Sequence, residues 1–165
     1  YQRWVNDVGT DRTQGDIPGP RALDRAEKWY DRISTSDDPW FTIYAIEDGS
    51  LTPIGLTWLS DVDFRHRTAG FAISIGEPSA RGKGYGTETT RLMLDYAFTT
   101  LGLHNVMLEV YEPNLAGKRA YEKAGFREFA RRTGSYVMGG RRYDTIYMEC
   151  LANAFRGSNQ VVSNP

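Results

Sequence analysis

Apolar positions change period several times along the chain, and each change predicts an element. Residues 41–46 alternate and are rich in aromatic and β-branched side chains, Asp48-Gly49 gives a tight turn, and residues 54–60 form the returning strand of a hairpin. Residues 61–68 turn the chain into a strand over 69–75, which Gly76 and Pro78 end. Leu92, Met93, Tyr96 and Ala97 then fall at helical spacing. A strand over 106–111 is stopped by Pro113, and a last hairpin pairs about 128–138 with 142–151 around Gly139-Gly140. Upstream, Gln2 to Val5 fit a helix already under way, and residues 9–21, rich in Gly, Pro, Asp and Thr, read as a loop. Residues 22–33 place Leu23, Ala26, Tyr30 and Ile33 on one helical face. The order predicts one mixed α/β domain over residues 1–156 and a polar tail over 157–165, without repeats or linkers.

Composition narrows the class. With 165 residues, 40% of them hydrophobic, the chain holds one proper core and not two. A net charge of −1 gives no bulk attraction to nucleic acid or membrane. One cysteine, Cys150, excludes an internal disulfide, and His66 and His104 stand too far apart in sequence for a metal cluster. A reduced, cytoplasmic, metal-free protein is expected, with no apolar run near the 18 or so residues of a membrane span.

The candidate chemistry starts at Arg81-Gly82-Lys83-Gly84-Tyr85-Gly86-Thr87, a basic, glycine-rich turn between the strand over 69–75 and a helix. Bare amides at a helix N-terminus, reinforced by the helix dipole, suit phosphate. A nucleoside-triphosphate loop does not fit, because Glu77 stands where its first glycine belongs and Gly84 follows Lys83 in place of a hydroxyl. A dinucleotide fingerprint fails too, with Thr87 or Thr89 at its last glycine.

The pattern that fits is R-x-x-G-x-G, carried by Arg81, Gly84 and Gly86, and it resembles the pyrophosphate loop of the GNAT superfamily of acyl-CoA N-acyltransferases. A second segment, Asn114 to Phe126, reads N-x-x-x-x-x-x-Y-E-K-x-G-F and looks like that superfamily's second cofactor-facing helix, with Asn114 as N-cap and Gly125 as C-terminal stop. The likeness spans about residues 54 to 151 and leans toward ribosomal-protein N-terminal acetyltransferases and spermidine N-acetyltransferases. It implies a mixed, mostly antiparallel sheet whose central parallel pair splays apart, helices on both faces, and a first strand that would lie upstream of Tyr1. It also implies acetyl-CoA as cosubstrate, its pantetheine arm pairing with the backbone of Ile73 and Ile75.

From the resemblance, Tyr121 is the expected general acid at the CoA sulfur. Glu109, twelve residues earlier and on the strand face opposite Leu108 and Val110, is either the general base or a solvated strand glutamate. The diphosphate falls to Arg81, Gly82, Lys83, Gly84, Tyr85, Gly86 and Thr87. Asn114 bonds the arm or caps its helix, and Lys118 faces the adenine-phosphate end or solvent.

The acceptor is expected to be a small amine or a peptide N-terminus. Asp7, Asp11, Asp16, Asp37, Asp38, Asp61 and Asp63, with Trp4, Trp40 and Trp58, fall in segments that shape the acceptor cleft in the resembled family, where they either attract a cationic amine or are ordinary surface acids and core aromatics. Gly70 stands where spermidine enzymes tend to carry a glutamate, which counts against a polyamine. A non-catalytic acyl-CoA-binding or sensory domain is the alternative. A homodimer is compatible with the sequence and not demanded by it.

Overall fold

In the computed structural model, which describes residues 33–157 together with Trp4, Glu27, Lys28 and Asp31, the alternating segments pair as strands. They are β1 (Trp40–Glu47), β2 (Ser50–Asp63), β3 (Thr68–Ile75), β4 (Asn105–Tyr111), β5 (Arg127–Met138) and β6 (Arg141–Leu151). Two helices, α1 (Tyr85–Asp95) and α2 (Leu115–Ala124), follow β3 and β4 respectively. The strands form one sheet in the order β1-β2-β3-β4-β6-β5. Every neighbouring pair is antiparallel except β3 and β4.

The β1–β2 turn is Asp48-Gly49, both at positive φ (49° and 77°), the backbone that matches the twist of a two-residue hairpin. Strand β2 is longer than its apolar stretch predicts, running through Pro53. A register shift between Ile43 and Tyr44 falls beside the Tyr44–Pro53 pair and absorbs the missing N–H. At its far end β2 reaches Asp63, and a bulge between Ser60 and Asp63 bends it into the turn.

Alternation assigns the two faces of the sheet. Leu59, Ala69, Phe71, Val106, Leu108 and Val110 are buried on one face and pack with Met93, Leu94 and Ala97. Both described helices cover this face, and the Arg91 guanidinium ties them together by donating to the Lys123 carbonyl at 2.9 Å. The opposite face carries Trp58, Gly70, Ala72, Met107 and Glu109, by the same alternation. Among the described residues before β1, Trp4, Glu27, Lys28, Asp31, Ile33 and Ser34 are helical. The rest of the predicted upstream helices, the strand expected before Tyr1 and the tail beyond Gly157 lie outside the described residues.

Candidate active site

Strands β3 and β4 pair only at Thr68–Asn105, Ala69–Val106 and Gly70–Met107. Beyond those three pairs they diverge, leaving the β3 edge from residue 71 onward without a strand partner on that side among the described residues. This is the splayed parallel pair expected from the resemblance. An extended ligand can add to such an edge through main-chain hydrogen bonds.

The chain leaves β3 and reaches α1 through the glycine loop. Gly82 and Gly84 take φ values of 75° and 95°, which side chains rarely adopt, and nothing lies within 4 Å of where a Cβ would stand on either. Gly84 is the N-cap of α1, and no side chain caps the helix. The first intrahelical donor is Glu88, bonded to the Gly84 carbonyl at 3.1 Å, so the amides of Tyr85, Gly86 and Thr87 point out of an uncapped helix end. An open loop, free amides and a positive dipole end together fit a diphosphate.

The loop's charged side chains are arranged differently from the simplest expectation. Arg81 folds back, its Nε donating to the Ile75 carbonyl at 3.1 Å and its Nη2 to the Gly76 carbonyl at 3.2 Å. It fixes the exit from β3 and engages one carbonyl expected for the pantetheine arm. Lys83 pairs with Glu47 at 3.3 Å, and the Tyr85 hydroxyl donates to the same carboxylate oxygen at 3.0 Å. The Tyr85 hydrogen bond, then Lys83, hold the Glu47 carboxyl below its usual range. Sequence reading missed Glu47 because nothing local marks it.

On α2, the Asn114 Oδ1 accepts from the Gly117 amide at 2.9 Å. A Cβ on Gly117 would stand 2.6 Å from that side chain, so the glycine is what lets the cap approach. The far end closes with the Phe126 amide donating to the Tyr121 carbonyl at 3.0 Å and Gly125 at φ 121°. These two ends fix the rotation of α2 and send Tyr121 toward the sheet. Its ring meets Phe71 at 6.3 Å and Phe126 at 6.1 Å, both edge-on. Burial pushes the phenol up to about 12. Its hydroxyl makes no hydrogen bond among the described residues.

Glu109 stands on the other face of the sheet, exposed, between the buried Leu108 and Val110. Its carboxylate makes no hydrogen bond or ion pair among the described residues. Ile73 belongs to the helix-covered face with Phe71, and Ile75 packs with Ile54 and Ala80 beneath the loop. Lys118 is committed elsewhere, to Glu122 at 2.8 Å and Glu128 at 3.3 Å, so its ammonium is not held out toward a phosphate.

Of the acceptor-side residues, Asp7, Asp11 and Asp16 lie outside the described residues. Trp4 packs its ring directly over Gly76, where a Cβ would collide with it. Trp40 and Trp58 stack at 4.3 Å with planes 12° apart. Asp63 is taken up by His66, which accounts for its depressed carboxyl.

Comparison with known proteins agrees with this geometry. The family model described as the acetyltransferase (GNAT) domain matches residues 1–127. A spermidine N(1)-acetyltransferase of Vibrio cholerae is 33% identical over 112 residues, 68% of this chain and 64% of that protein. The Escherichia coli K12 protein of the same name is 33% identical over 94 residues, 57% of this chain and 50% of that protein. The chain thus spans less than two thirds of these curated relatives. A crystal structure of the Vibrio cholerae spermidine N-acetyltransferase with CoA and spermine superposes with a TM-score of 0.81 at 28% identity, covering 93% of this chain and 88% of that one. With its splayed β3–β4 pair and uncapped α1, the chain belongs to the GNAT acetyltransferase family.

Proposed function

We propose that this protein transfers an acetyl group from acetyl-CoA to a primary amine by direct attack. The observation that carries the reading is the juxtaposition of the uncapped N-terminus of α1 with the open edge of β3, on the face where Tyr121 packs against Phe71. The amides of residues 82–87 hold the diphosphate, and the arm runs along the β3 edge toward Tyr121. Glu109 takes the proton of the incoming ammonium, directly or through water.

Tyr121 acts on the departing sulfur. Burial pushes its phenol up to about 12, which keeps the proton on the hydroxyl. The hydroxyl therefore serves as a hydrogen-bond donor that stabilises the developing charge and stays protonated at working pH. Asn114 holds α2 in the rotation this requires. Its contribution is positional, through the Gly117 amide. The lone buried thiol, Cys150, suits a reducing cytoplasmic setting.

Incubating the protein with acetyl-CoA and a panel of primary amines tests the reading by mass spectrometry. Equal amounts of free CoA and of an N-acetylated amine are expected. Tight acetyl-CoA binding without any acetylated amine would assign the fold to cofactor sensing instead.

A further inference from the structure

We infer that the acceptor is a primary amine carried next to an aromatic ring, and that Trp58 is the residue that selects it. This rests on the acetyltransferase reading above and names the substrate class of the same site. The registers Trp40–Trp58 and Trp58–Ala72 on one side, and Glu109–Tyr147 on the other, place these residues in two half-rows of the sheet. Continuing the Gly70–Met107 pairing by two residues sets Ala72 level with Glu109 across the splay. The half-rows therefore form one line on the face away from α1 and α2: the tryptophan pair, then Ala72, the opening, Glu109, and Tyr147.

Among the described residues that line outlines a trough. Gly70, Ala72 and Ser74 alternate along β3 on this face and leave its floor low. The Trp40–Trp58 stack forms one wall, and Tyr147, half-buried and 6.3 Å from the Phe129 ring, forms the other. Trp58 and Glu109 are two strand spacings apart, about 10 Å and more where the strands diverge. An aromatic ring and a short tether to an ammonium fill that distance, with the ring on Trp58 and the nitrogen at Glu109.

The charges argue against a longer polycation. Along this part of the sheet the next carboxylate on the same face, Glu149, is bound by Arg127 at 2.8 Å and by Asn105 at 3.1 Å. Glu109 is thus the carboxylate left to meet one ammonium on this row among the described residues.

The test is kcat/KM for phenethylamine, n-butylamine and spermidine with the whole protein and with Trp58→Leu and Trp58→Phe. Phenethylamine is expected to lead by about tenfold, with the lead lost in Trp58→Leu and kept in Trp58→Phe. Acetyl-CoA affinity, measured alongside, shows that each variant is folded. Spermidine or n-butylamine matching phenethylamine in the wild type, or Trp58→Leu slowing all three equally, would overturn the inference and leave the acetyltransferase reading standing. Acetyl-CoA binding with no amine turned over would overturn both.

Discussion

The ring of Tyr121 stands edge-on to that of Phe71, centroids 6.3 Å apart and planes at 90°. This contact anchors the phenol of α2 to the unpaired stretch of β3, where a thioester would end. Tyr121→Phe removes only the hydroxyl, so kcat is expected to fall by about a hundredfold with acetyl-CoA affinity nearly unchanged. Because the phenol titrates near 12, the wild-type rate profile should show no limb from Tyr121 below about pH 11. Steady-state kinetics over pH read both effects. An ionisation between pH 8 and 10 that vanishes in the variant would contradict the assigned role.

In the proposed mechanism the amine arrives on the side of the sheet that Glu109 faces. Replacing it with Gln leaves no base to collect the proton, so the loss should be largest at low pH, where the amine is charged. At pH 7 turnover is expected to drop about a hundredfold and to recover above pH 9. Equal turnover across pH in wild type and variant would exclude Glu109 as base.

Backbone geometry, more than the lysine charge, is expected to set cofactor affinity. Lys83 is paired with Glu47 on the surface, where solvent and salt screen the charge. Lys83→Ala should therefore weaken acetyl-CoA binding by only about threefold. Gly84→Ala forces a side chain onto φ 95° and should weaken it by about tenfold or more. Fluorescence titration of both variants decides the order.

Stability at alkaline pH should carry the signature of Cys150. Its thiol is buried among core side chains, and burial, with a smaller contribution from Glu149, pushes it from 9.0 to about 11. The folded state holds that proton more tightly than the unfolded state. The contribution is thus complete below pH 9 and is lost as pH rises through 11, by at most about 3 kcal/mol. Tyr121 adds a similar window between 10 and about 12. Denaturant unfolding from pH 8 to 11 should show a falling midpoint, with a shallower fall in Cys150→Ala. Parallel slopes would contradict it.

What the sequence made legible was local. The turn chemistry of Asp48-Gly49, the glycine loop before α1, and the Asn114 and Gly125 ends of α2 each depend on a few adjacent residues, and the backbone follows them. Alternation alone put Glu109 opposite Leu108 and Val110. The features it did not reveal are made by distant partners. Glu47 reaches Lys83 and Tyr85 across 36 and 38 residues. Ala72 becomes level with Glu109 only through strand register. Arg81, read as a phosphate ligand, is drawn back by carbonyls at the end of β3. Pro53, an ordinary strand breaker, sits inside β2 because the neighbouring strand bulges there.

The most direct measurement is an amide NMR titration of the whole protein with acetyl-CoA. The amides of residues 82–87 are expected to shift and saturate at one equivalent, with the signals of Tyr121 moving in step. Saturable binding that leaves those amides in place would contradict that expectation.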